Sequence, residues 1–164
     1  MRVTVEAAHV DEITISQLGS TVVVAQESRW RLRNRSVRVL VETPSGCDVE
    51  AAAVSAELHL SGAYGAVRLK TVSGDITVDR ARRVELSTAS GSCRVGDVVD
   101  DTRLNAVSGG FAGQYVGGRF QASTASGDIR VVRVAGDVQV ATTSGDIRLD
   151  RCDGADISAK SVSG

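Results

Sequence analysis

From Val49 to Gly164 apolar side chains recur in fixed columns. Each unit turns through a corner that reads T-x-S-G or a close variant, and its serine sets the register. Ser55, Ser73, Ser90, Ser108, Ser126, Ser144 and Ser163 are separated by 18, 17, 18, 18, 18 and 19 residues. Three and five places after these serines stand pairs such as Ile76 and Val78, Ile129 and Val131, or Ile147 and Leu149. Eight places after stand Ala63, Ala81, Val98, Val116, Val134 and Cys152. Six and four places before them stand Val67 and Leu69, Val84 and Leu86, Val138 and Val140, and in the last unit Ile157 and Ala159. The positions between these columns are polar or charged. Cys93, Thr102, Phe111 and Gly113 are the local departures.

Alternation with a period of two places the apolar columns on one side of two short strands per unit. One unit cannot bury that side alone. Stacked units turn each column into a continuous inner ladder, with every strand parallel to its counterpart in the next coil. The expected fold is therefore all-β, a single-stranded parallel β-solenoid with coils of about 18 residues. Parallel crossovers are right-handed in the great majority of cases. A left-handed hexapeptide helix would repeat its apolar signal every six residues, whereas the inward steps here are two, three, four and two. A right-handed β-helix is the expectation. Glycine in the S-G corner lets the backbone turn where a Cβ would obstruct it, and Gly65, Gly118, Gly136 and Gly154 mark the opposite corner. With coils about 4.8 Å apart, six to seven of them make a rod roughly 30 Å long. Each fully buried Val, Leu or Ile contributes about 1.5–3 kcal/mol, so the array needs no ligand, metal or disulfide to offset its ordering entropy.

Residues 1–48 read as a less regular leader that caps the N-terminal end, with the array spanning 49–164. Four runs, RVTVE, EITIS, STVVVAQ and SVRVLVE, alternate or are β-branched and predict four or five short strands. Trp30 is expected to cover an open end of the core, and the TPSG turn at Thr43–Gly46 separates leader from array.

Composition narrows this picture. Hydrophobic residues make up 42% of the chain but aromatics only 3%, so the core is built from Val, Ile, Leu and Ala. The net charge of −1, from 19 basic and 20 acidic residues, argues against a nucleic-acid partner. No run of 18 apolar residues encodes a membrane span. The N-terminus carries early acidic residues and no apolar h-region, which predicts a cytoplasmic chain, or an envelope one if an export signal or anchor lies outside it. Cys47, Cys93 and Cys152 show neither a disulfide framework nor zinc spacing and fit a reducing compartment.

The reiterated SGDI-x-V and T-x-S-G units, alternating with short G-x-V-x-V segments, resemble a bacterial adhesin-type family of β-strand-repeat domains of unknown function. The resemblance covers Val49 to Gly164 well and the leader loosely. It implies a β-solenoid and a role in adhesion or in sensing envelope stress, and it carries no catalytic residues across.

Several features bear on chemistry. Asp75, Asp128 and Asp146, with Arg94, Arg130 and Arg148, form the strongest outward pattern. They make either an anion- or sugar-binding face or a solvated face on which acid and base offset each other. Ser92 and Gly110 interrupt the Asp column. A calcium β-roll needs G-G-x-G-x-D spacing, which is absent, so no metal and no cofactor is expected. The corner hydroxyls Thr71, Thr88, Thr124, Thr142 and Ser73, Ser90, Ser126, Ser144 suit backbone capping. Serine catalysis would need a base, and the chain offers only His9 and the outward His59. Cys93 and Cys152 fall in apolar columns, leaving Cys47 as the one thiol outside the array. Corners that vary by a single residue leave no loops to build a lyase-type cleft.

The sequence therefore points to a non-enzymatic adhesin-like or scaffold module that binds a protein or glycan partner. The alternative is a cytoplasmic structural protein that self-assembles through its coil ends, as bactofilin cytoskeletal β-helices do. An uncapped last coil would leave strand edges open and favour a homo-oligomer.

Overall fold

The computed structural model describes residues 2–6, 13–18, 21–26, 38–42, 45–154 and 156–163, with side chains described from residue 45 onward. Trp30 and His9 lie outside the described residues.

The four alternating runs of the leader form β1 (Arg2–Glu6), β2 (Ile13–Leu18), β3 (Thr21–Gln26) and β4 (Arg38–Glu42). β1 and β4 pair antiparallel as a two-stranded sheet. β2 pairs antiparallel with β3. β3 runs parallel to β5 (Asp48–Ser55), with Val22 opposite Val49 and Val24 opposite Ala51. The parallel ladder thus reaches back beyond Val49 and takes in a strand of the leader.

The array is a parallel β-solenoid of about six turns. β6 (Leu58–Ser73) and β7 (Ile76–Ser90) each run through most of a coil. Later coils break into two strands. These are β8 (Cys93–Val98) and β9 (Thr102–Ser108), β10 (Phe111–Val116) and β11 (Phe120–Ser126), β12 (Ile129–Val134) and β13 (Val138–Ser144), and β14 (Ile147–Cys152) and β15 (Ile157–Ser163). Every pairing from β5 onward is parallel. One ladder runs Leu58, Ile76, Cys93, Phe111, Ile129, Ile147. The other runs Val49, Val67, Val84, Thr102, Phe120, Val138, Ile157. Both follow the columns marked by the serine register, and their middle members are almost fully buried. Burying β-branched side chains on a pleated inner face is what holds each coil to the next.

Three of the expected inward positions are corrected. Ala63 is exposed, and Tyr64 stands opposite Ala81 in its place. The pairing of β6 with β7 shifts between Leu60 and Ala63, where one extra residue bulges out. Gly62, at φ +113°, makes the turn. The first coil thus inserts its additional residue at a different corner from the later coils. Ile157 and Ala159, expected inward, are exposed, because β15 is paired among the described residues with β13 alone.

Two of the departures in the core, Phe111 and Gly113, compensate each other. The Phe111 ring occupies the space that a side chain at Gly113 would need, so a Cβ there would lie 3.1 Å from Phe111 Cε1. Phe111 stacks on Phe120 with ring centroids 5.4 Å apart and planes at 27°. One large residue beside a small one keeps the interior filled at native density.

Candidate functional site

The corners are occupied by structural hydrogen bonds. Thr71, Thr88 and Thr142 are buried, and each Oγ1 donates to the carbonyl of the corner serine two residues on, at 3.1 Å. Thr124 does so at 3.4 Å. Hydroxyls of Ser73, Ser90 and Ser108 reach carbonyls of the preceding coil. The glycine that follows is forced. Gly127 has φ +142°, and a Cβ there would collide with the Gly109 carbonyl one coil away.

The aspartate after that glycine also has a backbone partner. Asp75 Oδ1 accepts from the Ser92 amide at 2.8 Å, and Asp128 Oδ1 accepts from the Asp146 amide at 3.0 Å. The side chain of one coil thereby satisfies the backbone of the next. Arg94 stands opposite Ala112, Ala112 opposite Arg130, and Arg130 opposite Arg148. Arg148 turns within its own strand to Asp150 at 2.9 Å. The structure therefore sets Asp128 beside Asp146 and Arg130 beside Arg148. The coil of Gly110 and Ala112 separates Arg94 from Arg130, and two coils, those of Ser92 and Gly110, separate Asp75 from Asp128.

A second acid–base cluster lies on the column Tyr115, Arg133, Arg151. Arg133 sits over the Tyr115 ring at 5.8 Å and donates to Asp153, with Nη2 at 2.8 Å. Arg151 Nε donates to the other Asp153 oxygen at 3.1 Å. Hydrogen bonds from Arg151 and then Arg133 hold the Asp153 carboxyl below the usual carboxylate range.

The thiols are set up for packing. Cys93 is 2% exposed, and burial, with Asp75 nearby, pushes its pKa up to about 11. Burial and then Asp153 raise the Cys152 thiol in the same way. Neither is poised as a thiolate nucleophile.

A concave feature lies where the sequence reading placed no site. A groove of about 310 Å³ runs along the outer side of the second strands, lined by Arg68, Arg83, Glu85, Asp101, Arg103, Arg119 and Gln121, with Val84 and Thr102 beneath. Four guanidinium groups face two carboxylates in its lining, and Glu50 and Asp137 stand just outside it. Arg68 Nε donates to Glu85 at 3.0 Å, and Glu50 approaches at 4.0 Å. The hydrogen bond and charge of Glu85, and then the charge of Glu50, push the Arg68 guanidinium above its ordinary value. Arg83 meets Asp101, and Arg119 meets Asp137, each at 3.8 Å. Arg103 gives Nε and Nη2 to Gln121 Oε1 at 3.2 and 2.8 Å, and Gln121 Nε2 donates to Gln139 at 3.0 Å. These residues come from four successive coils, and outward positions become neighbours only once the coils stack. The signal was present five places before each corner serine, as Glu50, Arg68, Glu85, Arg103, Gln121 and Gln139.

A family model described as Toastrack DUF4097 matches residues 2–164, leader and array together. No curated protein and no solved structure matches the chain.

Proposed function

The chain belongs to the Toastrack DUF4097 family, and from that premise we propose a non-enzymatic binding module, a β-solenoid that offers adhesin-like or scaffold faces to a partner at the cell envelope. The observation that carries this reading is the charged groove on the second-strand face, a concave surface assembled from side chains of consecutive coils. The corner threonines and the carboxylates of Asp75 and Asp128 support it by exclusion, since they hydrogen-bond to backbone. A rod of parallel strands is stiff and fixes the spacing of its outward side chains, which suits recognition of an extended ligand. The partner is a protein or a glycan.

The test is binding of the whole chain to a broad glycan array, with a candidate envelope protein tested beside it. Saturable binding to a defined ligand is the expected result. Silence across the array and against the protein overturns the reading. Self-assembly through coil ends draws on one observation, the 55% exposure of Ile157 on the inner ladder. Sedimentation at rising concentration checks it, and a strictly monomeric profile removes it.

A further inference from the structure

The outward column beside the buried ladder Val67, Val84, Thr102, Phe120 and Val138 alternates in charge from coil to coil. It runs Glu50, Arg68, Glu85, Arg103. The neighbouring column alternates as well, through Arg83, Asp101, Arg119 and Asp137. Alternation favours stacking here, since like charges directly opposite each other destabilise the pair, a cost the rod accepts where Arg130 stands opposite Arg148. The next member of the first column should be a carboxylate. It is Gln121, followed by Gln139.

The break leaves a negative charge missing between Arg103 and Arg119. Among the described residues Arg103 has a neutral amide as its side-chain partner and no carboxylate within ion-pair distance. Arg83 and Arg119 meet carboxylates only at 3.8 Å, and their side chains are 62% and 59% exposed. Such pairs are weak and exchange readily for another anion. Of the four arginines lining the groove, Arg103 alone has no ion pair among the described residues, and it stands at this break.

We propose that this groove is an oxyanion site that takes the carboxylate or phosphate groups of an acidic glycan. The inference rests on the binding-module reading and names the ligand class for its groove. Arg103 anchors the anion, and Arg83 and Arg119 flank it with guanidinium forks suited to two-oxygen recognition. Gln121 is a positioning residue. Its Oε1 orients the Arg103 guanidinium without cancelling its charge. A glycan fits better than a nucleic acid for two reasons on this face. The amides of Gln121 and Gln139 continue the groove as a row of donors and acceptors for sugar hydroxyls. Among the described residues no aromatic ring lines the groove to stack a base.

Calorimetric titration of the whole chain tests this with oligogalacturonate, inorganic phosphate and a neutral oligosaccharide of equal length. The parent is expected to bind oligogalacturonate, more weakly as salt rises, and to ignore the neutral sugar. Gln121→Glu supplies the missing carboxylate from within. It should weaken binding at least about tenfold, while the unfolding midpoint stays at or above that of the parent. Arg103→Gln should weaken binding to a similar degree. Equal binding by Gln121→Glu and the parent overturns the proposal, as does failure to bind oligogalacturonate. Binding of phosphate alone replaces the glycan with a free ion and overturns it too. A neutral glycan or protein partner whose affinity Gln121→Glu leaves unchanged refutes the groove but leaves the binding-module reading standing.

Discussion

Replacing Thr102 with valine should make this protein more stable. Thr102 is 1% exposed and stands in the inner ladder between Val84 and Phe120. Its Oγ1 is buried and has no hydrogen-bond partner among the described residues. A hydroxyl in that state costs about 1–3 kcal/mol relative to an apolar group. Valine keeps the branched shape and is what the same column carries at Val84 and Val138. Some of the gain is lost because a methyl is slightly larger than a hydroxyl in a close-packed site. A net stabilisation of about 1–2 kcal/mol remains, which raises the melting temperature by about 2–8 °C for a chain of this size. Urea unfolding followed by circular dichroism measures it, with the slope of the transition checked for constancy. The reciprocal change, Val84→Thr, places a second unpartnered hydroxyl in the same column and should cost about 1–3 kcal/mol. The reasoning is refuted if Thr102→Val is less stable than the parent, or if Val84→Thr is neutral.

Three further predictions concern the corners and the core. Gly127→Ala should destabilise by about 2–4 kcal/mol, because it combines a strained backbone region with a clash into the Gly109 carbonyl. Gly110→Ala, where an added Cβ meets nothing nearer than 3.7 Å, should stay within about 0.5 kcal/mol; comparing the two by denaturation separates corner geometry from composition. Asp128→Ala removes the acceptor for the Asp146 amide and should cost about 0.5–1.5 kcal/mol, whereas Asp146→Ala should change little; amide hydrogen exchange at residue 146 reads the difference directly. Finally, the Cys93 pKa is raised in the folded state from 9.0 to about 11, so the folded chain keeps a proton that the unfolded chain gives up. Stability from this group is complete below pH 9 and is lost as the pH climbs toward 11. Cys93→Val should flatten that part of the pH–stability curve, and an unchanged curve would contradict the assignment.

The inner half of this protein is legible in its sequence because the serine register places nearly every inward residue once the spacing is known. Val84, Val98, Ile129 and Val138 fall where the count puts them. The count fails at Ala63 because a spacing of 18 residues records that a coil has one residue more than its 17-residue neighbour and not where that residue sits. Both Ala63 and Tyr64 are apolar, and backbone pairing alone decides between them. The outer half is harder to read because its meaning lies between coils. Asp75 and Asp128 look like ligands in a linear chain; stacking turns them into acceptors for backbone amides 17 and 18 residues away. Arg103 and Gln121 are unremarkable apart, and they become a pair only as neighbours across a coil boundary.

The paired substitution of Phe111 against Gly113, with Phe120 stacked alongside, bears on how the chain finds its native arrangement. Near-identical coils invite slippage, in which a segment stacks one whole repeat out of place and still buries valine on isoleucine. Most coils here are interchangeable enough to permit that error. The coil from Phe111 to Ser126 is not. Phe111 and Gly113 share β10 and would move together, but a slip of β10 against β11 by one repeat would part Phe111 from its ring partner Phe120. The stacked rings therefore key β10 to β11 within one coil, a mark that the aliphatic layers on either side do not carry.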